Sequence, residues 1–336
     1  MSKCYICPRE CGADRARGEL GYCRAPDSFL VAKTMLHHWE EPCISGEGGV
    51  GAIFFSGCSL CCVYCQNKEI SGGNAGVVMT DNELEHELFS LVERGAECVE
   101  FVTPTHYTSR ISRLLERIKP KLNVPVVWNS GGYEKPESLR MLDGLVDVYL
   151  PDIKYFSPKI AQNYSCAPNY LDFALPALKE MLRQVGVPRF FTTNEKFSAQ
   201  KTEFFTTQAQ KHNQDSGNRA TNSRKKILKK GLIVRHLVLP SHREDSISLL
   251  RLLECEIGAG NILLSLMSQY TPDFYIERES DTGGSPEYSE LCRRVTSFEY
   301  NSVLKVAEEL GFQGYLQAKS SATRAYTPSF SEKKDI

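Results

Sequence analysis

The 336-residue sequence has no apolar run near the roughly 20 residues that a membrane span requires. Its opening, MSKCYICPRE, has no apolar core of the kind a secretory signal needs. The two absences give the expectation of a cytoplasmic protein with no membrane partner. Charge of one sign is also missing: 40 Lys and Arg stand against 41 Asp and Glu, a formal net charge of −1. Without a global field there is no drive toward nucleic acid or an anionic bilayer, so any partner has to be read from a site. The glycines of Gly46-Glu47-Gly48-Gly49-Val50-Gly51 lack a Gly-Lys-Ser/Thr ending and precede a strand pattern rather than a helix. They read as a tight turn, and a nucleoside triphosphate loop is excluded.

Cysteine, by contrast, is abundant, with thirteen in the chain, most of them in the first 65 residues. Disulfides are rare in a reducing compartment, so clustered thiols there point to metal or redox chemistry.

Val50 to Ser56 is a short apolar run ending in small residues, the pattern of a buried strand. Thr80 and Glu83 then offer a capping box ahead of Leu84, Leu88, Leu91 and Val92 at helical spacing. The strand-then-helix unit recurs. Further strands are predicted at Cys98 to Thr103, Val124 to Asn129, Leu145 to Pro151, Leu232 to Leu239 and Ile262 to Met267, with amphipathic segments between them. Six apolar strands alternating with helices predict a parallel sheet and an α/β fold. From Thr206 to Lys226 the chain holds no Val, Leu, Ile, Phe or Tyr, so residues 190–230 read as a largely disordered insertion. Its basic end, Arg224 to Lys230, reads as a solvated linker. The expected organisation is a Cys-rich module over 1–48, the α/β domain over 49–317 and a tail over 318–336.

The stretch GCSLCCVYCQN places four cysteines, Cys58, Cys61, Cys62 and Cys65, just after the first strand. Cys58, Cys62 and Cys65 have the spacing C-x3-C-x2-C. A [4Fe–4S] cluster normally takes four thiolates, so three from one loop leave one iron open to a substrate or cofactor. Buried apolar thiols or a zinc site are the alternatives. A second set, Cys4, Cys7, Cys11 and Cys23, suits a closed tetrahedral Zn2+ site or a second iron–sulfur centre, with Cys43 a substitute for one ligand and ordinary core thiols the alternative.

The three-cysteine loop after a strand strongly resembles the radical S-adenosylmethionine (SAM) superfamily. The motifs CPREC, EEPCISG, FFSGCSLCCVYCQN, VTPTHY, NSGGYEKPE, YLPDIKY, LIVRHLVLP and MSQYTP narrow the resemblance to proteins similar to pyruvate formate-lyase activating enzyme, a branch with uncharacterised iron–sulfur proteins. The resemblance implies an incomplete (β/α)6 TIM-like barrel, with Cys58, Cys62 and Cys65 holding a [4Fe–4S] cluster and Cys61 a bystander. It implies reductive cleavage of SAM to a 5′-deoxyadenosyl radical, with an electron from an external donor such as flavodoxin or ferredoxin. Activation of a glycyl radical enzyme is one implied outcome. Radical modification of RNA, a peptide or a small molecule is another, and a non-catalytic iron–sulfur or zinc-binding scaffold stands outside enzymes.

Polar residues gather at the predicted strand ends, where a parallel barrel places its active site. His106, Asn129, Asp152, Lys154 and His236 are the expected SAM contacts, with Asp152, Lys154 and His236 carried over from the resemblance. A zwitterionic ligand needs a carboxylate, a cation and hydrogen-bond partners. A same-face ion pair remains the alternative for Asp152 and Lys154, and a satisfied core histidine for His236. His37 and His38 beside Trp39 read as a surface or packing feature.

Overall fold

The computed structural model describes residues 3–73, 75–191, 205–207, 227–281, 287–317, 328 and 330. Strands β1 (Phe29–His37), β2 (Val50–Phe55), β3 (Val77–Met79), β4 (Cys98–Val102), β5 (Val126–Ser130), β6 (Val148–Pro151), β7 (Arg189–Phe190), β8 (Phe205–Thr207), β9 (Leu228–Leu237), β10 (Leu263–Met267) and β11 (Gly314–Gln317) join one sheet system. β2, β4, β5, β6, β9, β10 and β11 run parallel in that order. β1 and β3 extend the β2 edge antiparallel, so the barrel is incomplete. Helices such as Asp81–Glu93, Thr108–Ile118, Tyr170–Val185, Arg243–Ile257 and Ser297–Glu309 fall between the parallel strands.

The six expected strands are present, and the structure adds to them. β11 is a seventh parallel strand, too short for its pattern to stand out from GYLQ. β1, inside the 1–48 range, pairs along β2 and so belongs to the sheet. β9 begins at Leu228, earlier than expected, because Lys229 and Lys230 follow a buried Leu228 and disguise the strand start as linker. Most of the insertion expected over 190–230 lies outside the described residues. Within it, β8 pairs parallel with β11, and β7 pairs antiparallel with β9. The tail expected over 318–336 also lies outside the described residues, apart from 328 and 330.

The capping box at Thr80 forms: the Glu83 amide donates to Thr80 Oγ1, and Glu83 Oε2 accepts from the Thr80 amide at 2.7 Å. Thr296 and Glu299 repeat it at the last helix. Each such cap stabilises its helix by about 1 kcal/mol.

Strand side chains alternate between two cores. Ile53, Phe55, Val99, Phe101, Trp128, Tyr149 and Val234 pack outward against the helices. Val50, Ala52, Phe54, Cys98, Val102, Val127, Val148, Leu150, Ile233 and Leu263 fill the barrel interior. Period two then dictates that Glu100, Asn129, Asp152, Arg235 and Ser265 also point inward, each standing two residues from an interior hydrophobe. Together these polar residues give the barrel a charged centre.

Candidate functional site

The cluster loop leaves β2 at Gly57, whose φ of +89° and lack of a side chain both matter. A Cβ there would lie 2.4 Å from the Cys23 carbonyl oxygen. The N-terminal module therefore rests directly on the loop. Cys62 is buried, while Cys58, Cys61 and Cys65 are half-buried. Cys61 adopts φ +52° and keeps its thiol beside Cys58, within donating distance of the carbonyls of Cys58 at 3.2 Å and Ser71 at 3.4 Å.

The thiols differ in their ease of ionisation. A hydrogen bond from Cys61 draws Cys58 down to about 6 despite burial, and the Leu60 amide donates to its sulfur at 3.3 Å. Burial pushes Cys65 up to about 12 and also raises Cys62. The Lys154 ammonium favours the thiolate at all three of Cys58, Cys62 and Cys65. Ser165 Oγ donates to Cys62 Sγ at 2.9 Å. Three thiols supplied with amide and hydroxyl donors and a nearby cation make a donor set that fits a thiolate-ligated [4Fe–4S] cluster. Among the described residues no three His, Cys, Asp or Glu side chains are gathered as ligands of a single ion. A cubane puts each thiolate on its own iron, so its ligands need no shared point.

Beside the loop runs a chain of ion pairs. Lys154 Nζ donates to Asp152 Oδ2 at 2.6 Å, and Arg235 Nε donates to Asp152 Oδ1 at 3.0 Å. Arg235 also reaches Glu40 at 3.2 Å and Asn129 Oδ1 at 2.6 Å, and Asn129 Nδ2 donates to Glu100 Oε1 at 2.7 Å. Burial opposes ionisation of Asp152, yet Lys154 and Arg235 hold its carboxyl below the usual range. Burial likewise opposes the Lys154 ammonium, and the Asp152 carboxylate outweighs it. Burial lifts Glu41 to about 7, with Glu40 adding to the rise and Arg235 opposing it, and it holds Glu100 well above the carboxylate range.

Of the expected SAM contacts, Asn129, Asp152 and Lys154 are brought together, and two are not. His236 has the opposite strand parity from Arg235. Its Nδ1 bonds the Ile153 carbonyl at 2.7 Å and its Nε2 bonds Ser246 Oγ at 2.8 Å. Both ring nitrogens are thus engaged on the helix side, away from the Asp152–Arg235 network. His106 stands against Phe55 and Tyr107, with Nε2 3.1 Å from the Ser56 carbonyl oxygen and Nδ1 buried without a partner. Burial lowers it to about 3, so it is neutral. His37 packs edge-on to Phe54 and is held at about 4 by burial.

Cys4, Cys7, Cys11 and Cys23 lie within one another's field, and burial raises Cys7 to about 12. Cys4 and Cys11 share a side-chain hydrogen bond. Gly21 is packed so closely that a Cβ would sit 2.4 Å from Cys11 Sγ. Cys43 is elsewhere, in the barrel interior with Ile44 and Tyr315, so it does not substitute for one of the four. Glu40, Glu41, Glu100, Arg9 and Ser165 were not anticipated. A charged residue at inward parity within the apolar strand CVEFV was the available signal for Glu100; Arg9 and Ser165 gave none.

The structure is a parallel α/β barrel with three cysteines on the loop after its first parallel strand. The Radical SAM superfamily model matches residues 52–194, and that stretch belongs to the superfamily. Its chemistry is reductive SAM cleavage to a radical at a [4Fe–4S] cluster. The chain is 25% identical over 326 residues to the uncharacterized protein MJ0674 of Methanocaldococcus jannaschii, covering 92% of this chain and 75% of that one. Among solved structures it is similar to methylornithine synthase, at 11% identity and a TM-score of 0.42 over 86% of this chain and 69% of that one. It is also similar to a spore photoproduct lyase variant bound to a dinucleoside spore photoproduct, at 12% identity and 0.44 over 78% and 75%. No helix among the described residues is long and apolar enough to cross a membrane.

Proposed function

We propose that Cys58, Cys62 and Cys65 hold the cluster, and that Asn129, Asp152 and Lys154 hold SAM in the adjoining barrel mouth. The observation that carries this reading is the Asp152–Lys154 pair at 2.6 Å, whose ammonium favours the thiolate at all three cysteines. When bound, the cluster supplies the electron that cleaves SAM to a 5′-deoxyadenosyl radical. Asp152 and Lys154 offer one carboxylate and one ammonium at the same edge, complementary to an amino acid zwitterion. An external flavodoxin or ferredoxin fits as the electron source.

The substrate reading that the quoted motifs favour is a glycyl radical enzyme, from whose backbone a hydrogen atom is taken. Anaerobic, reduced, reconstituted protein should form 5′-deoxyadenosine from SAM; an intact cluster signal without that product would sink the enzyme reading in favour of a scaffold. Deuterium passing from a partner's glycine Cα into the product would support activation, whereas label arriving only from RNA, a free peptide or a small molecule would replace it.

Lys154→Ala should weaken SAM binding about tenfold or more, the usual consequence of losing a charge-assisted hydrogen bond worth about 1.5–3 kcal/mol. Iron content should not change. Unchanged affinity would leave Asp152–Lys154 a structural pair.

The N-terminal four-cysteine set is structural in this reading, a Zn2+ or second iron–sulfur site that fixes the module, its thiols drawing onto one point only when the metal binds. The Cys4→Ala/Cys7→Ala double variant should lose metal by elemental analysis and melt earlier while keeping the SAM-binding cluster. Equal zinc and iron in both proteins would remove the second site.

A further inference from the structure

Cys62 Sγ is the end of a buried chain of hydroxyls. Ser165 Oγ lies 2.9 Å from the sulfur, Tyr155 OH 2.7 Å from Ser165 Oγ, and Tyr64 OH 2.7 Å from Tyr155 OH. Each hydroxyl has one proton to give. With Ser165 donating to sulfur, Tyr155 must donate to Ser165 and Tyr64 to Tyr155, so every dipole in the row points toward Cys62. Burial holds both phenols far above their ordinary range, and both stay neutral donors.

The row's position is fixed from the N-terminal module. Arg9, inside CPREC, donates from Nε to the Ser59 carbonyl at 2.7 Å, from Nη1 to the Cys166 carbonyl at 2.5 Å and from Nη2 to the Ser165 carbonyl at 2.7 Å. Its guanidinium carbon stands 3.9 Å from the Tyr22 ring centroid and 5.3 Å from that of Tyr133. One side chain thus ties the cluster loop to the carbonyl end of the helix Pro158–Ser165, where a cation also complements the helix dipole. Three fixed donors on one planar group hold two segments in register.

We propose that the Tyr64–Tyr155–Ser165 row, clamped by Arg9, tunes the reduction potential of the cluster at Cys62. A hydrogen bond to a cluster sulfur withdraws charge from it and favours the reduced, more negative form. Aligned donors behind it strengthen that bond. Ser165 and Arg9 are positioning residues, since neither touches SAM. The inference rests on the reading that Cys58, Cys62 and Cys65 ligate the cluster.

The test is an EPR-monitored redox titration of the reconstituted full chain. Ser165→Ala is expected to keep its iron and shift the reduction equilibrium at least tenfold toward the oxidised form, about 59 mV for one electron. Ser165→Thr restores the wild-type midpoint. Tyr155→Phe, which leaves Ser165 in place, shifts in the same direction by less, and so does Arg9→Gln. An unmoved midpoint in Ser165→Ala overturns the inference. If that variant holds no iron, the midpoint of Tyr155→Phe decides in the same way. Failure of the wild type to show any [4Fe–4S] signal would instead strike the cluster reading itself.

Discussion

Alanine at Cys58, Cys62 or Cys65 is expected to remove the [4Fe–4S] signal and reduce 5′-deoxyadenosine formation to background, while Cys61→Ala keeps both. The asymmetry follows from geometry. Cys61 sits in the left-handed region with its thiol against the carbonyls of Cys58 and Ser71 and beside the Cys58 sulfur. Its hydrogen bond with Cys58, with burial adding to the effect, keeps it protonated. Removing it costs Cys58 one hydrogen bond, on the order of 1 kcal/mol, far less than removing an iron ligand. Iron content and the absorbance of the reconstituted variants measure the outcome, and an equal loss in Cys61→Ala would overturn the ligand assignment.

The cluster loop was legible because its signal is local: one apolar strand, then cysteines at fixed intervals. The parallel strands were legible for the same reason, each being a short apolar run bounded by turn residues. The contents of the barrel were harder to see. Adjacent residues on a strand face opposite ways, so Arg235 and His236 cannot both serve the interior, nor can Asn129 and Ser130. Asn129 joins the network, while Ser130 donates outward to Glu134 at 2.6 Å. Parity set from Ile233 places His236 on the helix side. What sequence spacing cannot supply is the pairing of β1 along β2, which brings Glu40 to Arg235 across 195 residues of chain. The same limit hides Arg9, whose contacts with Ser165 and Cys166 are 156 and 157 residues away.

That long-range pairing makes Arg235 a side chain whose loss should cost the fold heavily. Arg235→Met leaves Asp152 and Glu40 without the cation at 3.0 and 3.2 Å, and breaking a buried pair from one side typically costs about 3–5 kcal/mol. The deficit should depend on pH in a definite direction. Glu41 has a folded pKa of about 7, raised by burial while Arg235 opposes the rise. A carboxyl raised above its unfolded value keeps a proton that the unfolded chain has released, so it costs stability as pH climbs from the unfolded pKa to the folded one, and the loss then levels off. In the wild type that plateau begins near pH 7. Without the guanidinium the folded pKa moves higher, and the variant continues to lose stability where the wild type no longer does, by about 1.4 kcal/mol for each unit gained. Urea denaturation of both proteins should therefore show a gap that is wider at pH 8 than at pH 6. A gap of constant size would mean that Glu41 does not feel Arg235, and the charged centre would then be separate pairs rather than one coupled network.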